Sequence, residues 1–269
     1  FRKKIKLLDI KKLKKYTLNN NVINLIDVNY NQKQPFEKIS ERSNKYITQS
    51  FLIATKLIKS GFSNKLINGP ISKRTFLNKT NLGITEYISD KFHVKNNAML
   101  IFNKKLSVCP VTTHLPLKLV SKSINKKLIK EKTKLINEFF IKNLRFKPRI
   151  GVTGLNPHCE SILKFNEDEK IIKLAIRSKS KNRINVKGPF PADTLFLKAN
   201  RKKFNVILGM YHDQVLTPIK TIFEFDAINL TVGLPFIRVS PDHGPNESML
   251  GGKKSDFTSL LNSIRFLDF

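Results

Sequence analysis

Three histidines stand at comparable places in the sequence, and imidazole is a side chain that can bind a metal or carry a proton. They occur in the segments VCPVTTHLP (His114), IGVTGLNPHCE (His158) and VILGMYHDQ (His212), each a few residues after an apolar run that favours a β-strand. Side chains at the carboxyl ends of such strands share one edge of an α/β sheet, so we expect the three imidazoles to converge. Three imidazoles with an open fourth position would suit a catalytic Zn²⁺. For each histidine taken alone, a hydrogen-bonded residue at a strand end is the commoner interpretation.

Aspartates occur in similar positions and could handle protons. Asp213 follows His212 directly, Asp193 lies in GPFPADTLF, and Asp242 lies in SPDHG. Each has a structural alternative: Asp193 could cap a helix, Asp213 could orient a neighbouring imidazole, and Asp242 could form a turn. Asp193 or Pro191 could open the helix predicted after this turn.

Basic and amide side chains follow the third histidine at short intervals. Lys220, Asn229 and Arg238 could hold a phosphate and a carboxylate, because arginine offers a bidentate fork and lysine a point charge. The later segment DHGPNESMLGGKK contains Gly244, Gly251 and Gly252, whose backbone amides could approach a pyrophosphate or could form an ordinary surface loop. No GxxxxGK[ST] or GxGxxG signature is present, so a nucleotide would need another scaffold.

Apolar runs typical of strands alternate with amphipathic segments along the chain, which predicts an α/β fold with a largely parallel or mixed sheet. We expect a helix ending at Gly61, two strands joined around Asn103, and a long helix over about residues 117–143. A terminal helix is predicted with Ser255 at its N-cap. Ligands in such folds collect beyond the carboxyl ends of the strands.

Length and composition restrict the class of protein. The 269 residues, 40% of them hydrophobic, fit one large domain or two intimately joined lobes. No segment is apolar for long enough to span a membrane, and the opening FRKKIKLLDIKKLKKY lacks a signal peptide's apolar core. We therefore expect a cytoplasmic protein with Cys109 and Cys159 as thiols. Because the chain starts at Phe1, we also expect that an N-terminal segment is missing.

The formal net charge of +30 raises nucleic acid as a partner, since clustered lysines and arginines neutralise phosphates. The basic residues are spread from end to end, however, and no helix-turn-helix or aromatic-lined basic groove is recognisable. A solvated basic surface is the favoured interpretation. Its field would still speed the encounter with an anionic substrate.

Six segments together resemble one family, the 4-hydroxythreonine-4-phosphate dehydrogenases of vitamin B6 biosynthesis. The resemblance covers about residues 66–260, and the segments are NGPISKRTF, VTTHLPLKLV, GLNPHCES, GPFPADTLF, MYHDQVLTPIK and INLTVGLPFIRVSPDHG. It implies an isocitrate/isopropylmalate-dehydrogenase-like α/β fold, with a mixed sheet flanked by helices and two joined lobes around an active-site cleft. It also implies a single dehydrogenase unit over residues 1–269, acting as a homodimer with shared active sites and using NAD or NADP.

The resemblance also implies roles for individual residues. A divalent metal (Zn, Mg or Co) would be bound by ligands from both subunits. The positions that match the family's functional residues are the metal ligands His114, His158 and His212, the substrate-binding residues Thr85, Lys220, Asn229 and Arg238, and the cofactor-binding residues Asp242, His243, Gly244 and Gly251. Asp213, Asp193 and Lys220 are the candidates for proton handling.

The implied reaction is oxidation of 4-phosphooxy-L-threonine followed by decarboxylation to 3-amino-2-oxopropyl phosphate. Ile84 stands where the family usually has a histidine, so a related phosphorylated hydroxy acid such as 4-phosphoerythronate or 4-phosphothreonate is an alternative substrate. Two other classes stay open on the residues alone: a metal-dependent hydrolase and a basic nucleic-acid-binding protein.

Overall fold

The computed structural model describes residues 4–19, 21–77, 83–181, 183–252 and 255–268. The strands are β1 (Ile5–Leu7), β2 (Ile23–Leu25), β3 (Lys65–Ile67), β4 (Ala98–Phe102), β5 (Ser107–Thr112), β6 (Ile150–Thr153), β7 (Val186–Phe190), β8 (Val206–Tyr211), β9 (Ile228–Val232) and β10 (Ile237–Pro241). The α-helices are α1 (Asn44–Lys59), α2 (Lys73–Phe76), α3 (Ile84–Lys91), α4 (Leu117–Ser123), α5 (Lys126–Phe139), α6 (Lys173–Lys181), α7 (Ala192–Leu195), α8 (Lys198–Arg201), α9 (His212–Phe223) and α10 (Thr258–Leu267).

One eight-stranded sheet in the order β3-β10-β9-β4-β5-β8-β6-β7 organises the molecule, and β1 and β2 form a separate parallel pair. Strands β5, β8, β6 and β7 run parallel to one another, whereas β9 is antiparallel to both β4 and β10. The predicted mixed sheet is therefore confirmed. The carboxyl ends of β5, β8 and β6 lie at one edge of the sheet, and the three predicted histidines follow these three strands.

Helices cover both faces of this sheet. Leu100, Leu208 and Leu230 pack with α5 on one face, whereas Ile101 and Ile207 pack with α9 on the other. Strand β5 is buried at every residue, as expected for a strand covered on both sides. Within the described residues, no helix is long and apolar enough to cross a membrane.

The predicted long helix over residues 117–143 is wrong in one respect, because it is interrupted. Helix α4 ends before Ile124, whose backbone is extended, and Asn125 then caps α5 by accepting the Leu128 N–H at 2.9 Å. An asparagine side chain that bonds its own backbone competes with helix continuation. The chain leaves α5 through a π-helical turn that ends at Arg145 in the left-handed region.

Strands β9 and β10 are joined by a turn through Gly233, which has a φ of 99°. One other detail differs from the prediction. Helix α10 begins at Thr258 after Phe257, not after Ser255, and Asp256 accepts the Thr258 N–H at 2.7 Å. The predicted helix end at Gly61 is confirmed, since α1 ends at Lys59 and Gly61 has a φ of 75°.

Candidate active site

A cavity of about 670 Å³ lies on the α9 face of the sheet. Its floor is β4, β9 and β10, where Ile101, Asn229 and Ser240 stand side by side in register. Its walls come from α2, α3, α9 and the loop after β10. Another cavity, of about 450 Å³, lies around Phe102 and Phe266 but contains none of the predicted site residues. The larger cavity is therefore the candidate active site.

Two of the three predicted histidines meet at this cavity. His114 follows β5, and His212 is the first residue of α9, directly after β8. Since β5 and β8 are paired and parallel at their carboxyl ends, the two imidazole rings lie with their centroids 5.8 Å apart. His212 Nδ1 is 2.6 Å from Asp213 Oδ1. Burial is the main cause that lowers the pKa of His114, and Lys73 acts in the same direction.

His158 does not line the cavity. It is exposed on the short turn Pro157–Cys159 that follows β6, and its φ is 55°. The described residues contain no cluster of three or more histidine, cysteine or acidic side chains that could hold a metal. One chain in this conformation therefore presents two imidazoles at the cavity and the third elsewhere.

The loop that carries His158 is held by a fully buried carboxylate. Asp168 accepts hydrogen bonds from the Leu155 N–H at 2.7 Å, from the Asn156 N–H at 3.2 Å and from the Asn156 side chain at 2.9 Å. A side chain at Gly154 would lie only 2.5 Å from Asp168 Oδ1, so the glycine makes room for this contact. No sequence pattern predicts this role of Asp168, which lies on the π-helical segment before α6.

The predicted acidic residues lie in different places. Asp213 touches His212 but its side chain is 79% exposed, and it does not line the cavity. Asp193 is also exposed and outside the cavity, and it accepts the Thr194 N–H at 2.8 Å. Pro191, not Asp193, occupies the N-cap of α7. Asp193 lies near enough to Cys159 to help raise the pKa of that thiol, together with burial as the main cause.

Arg238 is a buried cation at the cavity floor. Its Nε donates to Asn68 Oδ1 at 2.8 Å, and its Nη1 donates to Thr231 Oγ1 at 2.8 Å and to Thr85 Oγ1 at 3.3 Å. Burial lowers its pKa to about 10, with Glu86 acting in the opposite direction. None of the described carboxylates forms an ion pair with Arg238, so its charge is available to an anionic ligand.

Lys220 reaches the cavity from α9. It lies two turns after His212 on the same side of the helix, with Leu216 between them, and all three line the cavity. Lys220 Nζ donates to Asp242 Oδ2 at 2.7 Å. The predicted substrate-binding and cofactor-binding segments are therefore in direct contact.

The loop after β10 lines the cavity over residues 242–247. Gly244 has open space beside it, since an added side chain would meet nothing within 4 Å. His243 Nδ1 lies 2.9 Å from the Gly244 carbonyl oxygen. Gly251 has a φ of 71° and does not line the cavity.

Two further residues at the site, Lys73 and Glu86, were not predicted from the sequence. Lys73 Nζ lies 3.3 Å from His114 Nε2, and Glu86 places a buried carboxylate oxygen near the same imidazole. Lys73 and His114 are 41 residues apart in the chain, so spacing carried no signal of their contact. Asn229, which was predicted, presents a buried Oδ1 that has no partner among the described residues.

The fold places the protein in a known structural class. Isocitrate dehydrogenase from Methylococcus capsulatus superposes on 86% of the chain and 75% of its own length with a TM-score of 0.53 and 9% sequence identity, a likeness of fold alone. The predicted isocitrate-dehydrogenase-like α/β fold is confirmed.

Sequence comparison then identifies the family. The family described as "Pyridoxal phosphate biosynthetic protein PdxA" matches residues 2–267, and the chain belongs to this family. The 4-hydroxythreonine-4-phosphate dehydrogenase of Sulfurihydrogenibium sp. (strain YO3AOP1) is 35% identical over 90% of this chain and 75% of its own length. The protein of the same name from Aquifex aeolicus (strain VF5) is 38% identical over 69% of this chain and 58% of its own length, so the chain spans little more than half of that relative.

A solved structure agrees with this assignment. The 4-hydroxythreonine-4-phosphate dehydrogenase of Klebsiella pneumoniae superposes with a TM-score of 0.81 and 26% identity, covering 98% of this chain and 83% of its own length.

Proposed function

We propose that this protein is a metal-dependent dehydrogenase that oxidises 4-phosphooxy-L-threonine with NAD or NADP and then releases CO₂ to give 3-amino-2-oxopropyl phosphate. One observation carries the proposal: a single cavity of about 670 Å³ brings together His114, His212, Lys220 and the buried Arg238. Imidazoles beside two basic groups suit a substrate that is both anionic and to be oxidised at a hydroxyl-bearing carbon.

The basic side chains bind and orient the substrate. Arg238 is fixed by Asn68 and Thr231, so its guanidinium is presented to an anion without further ordering. Lys220 supplies a second charge once the substrate displaces its contact with Asp242. Thr85 and Asn229, which also line the cavity, hold the polar groups between the two charged ends.

The donor set fits a divalent metal only in part within one chain. His114 and His212 offer two imidazoles, and the partner subunit's His158 would be the third ligand. Three imidazoles suit Zn²⁺, and Co²⁺ accepts the same ligands, whereas Mg²⁺ prefers oxygen. When bound, the metal would polarise the oxygen of the substrate's hydroxyl and of the ketone that oxidation produces.

The surface beside His158 supports a homodimer with shared active sites. Ile162, Leu163 and Phe165 follow His158 within one loop, and their exposures are 105%, 71% and 55%. Neighbouring apolar side chains with this exposure are a feature of protein–protein interaction surfaces. A second copy of the chain that covers this loop would also receive His158 at its cavity.

Proton handling would fall to residues around His212. Asp213 Oδ1 contacts His212 Nδ1 and can orient this imidazole, while Lys220 Nζ reaches the cavity itself. Asp193 lies outside the cavity of its own chain, so it would act only if it reached the site of a partner subunit. We therefore favour Lys220 as the group that exchanges a proton with the substrate.

The loop over residues 242–247 is the proposed cofactor site. NAD or NADP would accept the hydride from the substrate carbon. The open space beside Gly244 lets the backbone approach a pyrophosphate, and Asp242 and His243 can contact the ribose. Gly251 would help only by shaping the far end of the loop. A cytoplasmic site of action would suit a metabolic dehydrogenase like the relatives named above.

Reduction of NAD or NADP with 4-phosphooxy-L-threonine tests the proposal directly. Activity should disappear with a chelator and return with Zn²⁺, Co²⁺ or Mg²⁺. The proposal is rejected if the metal-loaded protein reduces neither cofactor with any phosphorylated hydroxy acid. Metal-dependent hydrolysis without cofactor reduction would instead favour a hydrolase.

Ile84 makes a related substrate the second candidate. It is buried and lines the cavity next to Thr85, where it offers no hydrogen bond. A panel of 4-phosphooxy-L-threonine, 4-phosphoerythronate and 4-phosphothreonate should therefore be compared between wild type and Ile84→His. Preference of the wild type for 4-phosphoerythronate or 4-phosphothreonate, reversed by Ile84→His, would support the alternative.

A further inference from the structure

Lys73 lies against Nε2 of His114, whereas Nδ1 of this ring is buried and has no hydrogen-bond partner among the described residues. We infer that Lys73 and Glu86 act as positioning residues that hold His114 in the tautomer protonated at Nδ1, with the Nε2 lone pair presented to the cavity. The inference deepens the proposed function, on which its consequence for metal binding rests.

The first step is the contact of Lys73 with His114. Lys73 Nζ lies 3.3 Å from His114 Nε2. An ammonium group donates hydrogen bonds and accepts none, so Nε2 must be the acceptor. An imidazole that accepts at Nε2 carries its proton on Nδ1.

The second step is the pairing of two buried atoms. His114 Nδ1 and Glu86 Oε2 are both buried, and neither has a hydrogen-bond partner within the described part of the chain. One is a donor in the tautomer just deduced and the other is an acceptor. Buried polar groups of native proteins are nearly always paired, so two such atoms in one place indicate a contact that a small side-chain shift completes.

The position of Gly83 shows that Glu86 Oε2 and His114 Nδ1 lie close to the same point. A side chain at Gly83 would lie 2.6 Å from Glu86 Oε2 and 3.5 Å from His114 Nδ1. The φ of Gly83 is −166°, an extended conformation open to any residue. The glycine is therefore needed for the room that it leaves between the carboxylate and the imidazole.

The charges around His114 agree with this arrangement. Burial and Lys73 lower the pKa of His114, whereas Glu86 acts to raise it. Lys73 is exposed and sits on a flexible stem, so it can move from Nε2 when a metal takes that lone pair. Glu86 would remain behind the ring, as carboxylates commonly do behind a metal-binding histidine.

Nitrogen NMR of the metal-free protein tests the inference without any turnover. The ring nitrogens of His114 can be assigned by their loss in His114→Gln, and the wild type should show a protonated Nδ1 and an unprotonated Nε2. Lys73→Met and Glu86→Met should each reduce this preference, whereas Lys134→Met and Glu138→Met, at an exposed ion pair on α5, should leave it intact. Protonation at Nε2 in the wild type, or a wild-type spectrum in both site variants, would overturn the inference.

Gly83→Ala provides a second route if Glu86→Met does not fold. The added methyl group would separate Glu86 from His114 and should change the tautomer in the same direction; an unchanged spectrum would count against the inference. In the folded dimer, Glu86→Met should weaken Co²⁺ binding by about 10- to 100-fold, and Glu138→Met should not. If the tautomer is as inferred but no metal binds and no cofactor is reduced, the proposed function fails and the positioning by Lys73 and Glu86 stands.

Discussion

The regions around His114 and His158 each contain a carboxylate beside a glycine, but the two carboxylates differ in their hydrogen bonds. Each places a carboxylate against a glycine whose missing side chain leaves the necessary room: Glu86 beside Gly83 near His114, and Asp168 beside Gly154 near His158. Asp168 receives three hydrogen bonds from its own loop, whereas Glu86 Oε2 is buried and receives none from the described residues.

This difference separates a structural carboxylate from one that serves an imidazole. Asp168 has its acceptor sites filled by the loop, so its work is to hold the backbone that displays His158 at the surface. Glu86 Oε2 has no hydrogen-bond donor among the described residues, so we infer that the proton on His114 Nδ1 is the donor that it would accept. The His158 loop is therefore complete within one chain, whereas Glu86 Oε2 still lacks a hydrogen-bond partner among the described residues.

Mixing two inactive variants would test most strongly whether the two regions meet across subunits. His158→Ala and His212→Ala should each abolish turnover, since each removes a proposed metal ligand. Co-refolding them in equal amounts should restore about a quarter of wild-type activity, because random pairing gives half mixed dimers, each with one intact and one doubly damaged site.

The matched control is a mixture of His114→Ala with His212→Ala. Both residues lie at one cavity of the same chain, so this mixture should stay inactive. Recovery in the control, or no recovery in the test mixture of folded dimers, would contradict the shared site. Retention of metal by His212→Ala alone would leave His212 as an ordinary residue after a strand.

Removing Asp168 should destabilise the His158 loop without altering the cavity. Asp168→Ala leaves buried N–H groups unpaired and should lower the free energy of unfolding by on the order of 3 kcal/mol, as unpaired buried donors cost about 1–3 kcal/mol each. Urea unfolding measures the loss, and Glu169→Ala, which removes only an exposed ion pair with Lys173, should cost less than about 1 kcal/mol. Equal effects of the two substitutions would show that Asp168 does not hold the loop.

Substitution of Arg238 should have a smaller effect than the changes above, and it tests substrate binding in the cavity. In Arg238→Lys the ammonium cannot contact Asn68 and Thr231 and also bind an anion, so KM for the substrate should rise about tenfold or more, the equivalent of one charged hydrogen bond. Metal affinity, measured by Co²⁺ titration, should stay unchanged. The matched control is Arg265→Lys at the cavity around Phe266, and an equal rise in KM there would remove Arg238 from the substrate site.

Most of the fold could be predicted from the sequence because central strands such as β4, β5 and β8 are buried on both sides and consist of continuous apolar runs. The helix over 117–143 was predicted as unbroken because apolar periodicity continues across Asn125, and the cap that starts a new helix there is a single side-chain hydrogen bond.

The meeting of His114 and His212 was predictable because both follow strand ends. The two lie together because β5 and β8 are adjacent in the sheet, although β6 and β7 lie between them in the sequence. Lys73 and Glu86 approach His114 from elements that are distant in the sequence, and no local pattern encodes this proximity. His158 was expected at the same rim, but the turn after β6 leaves it outside this chain's cavity.

The smallest expected effect concerns Cys159, which adjoins His158 and reports on the charges of its loop. Burial and the Asp168 carboxylate raise the pKa of this thiol to about 11, while a backbone contact with Gly154 acts in the opposite direction. The thiolate is the reactive form, so alkylation should be slow at neutral pH and quicken about tenfold per pH unit up to that value. Asp168→Asn removes a negative charge, which lowers the thiol's pKa and should speed alkylation at a fixed pH in the folded protein.

Cys109, whose pKa burial raises to about 12, should stay unmodified until the protein unfolds, so its labelling separates a local change of charge from loss of the fold. A Cys159 that reacts at neutral pH as fast as a free thiol would show that the loop does not hold Asp168 against it.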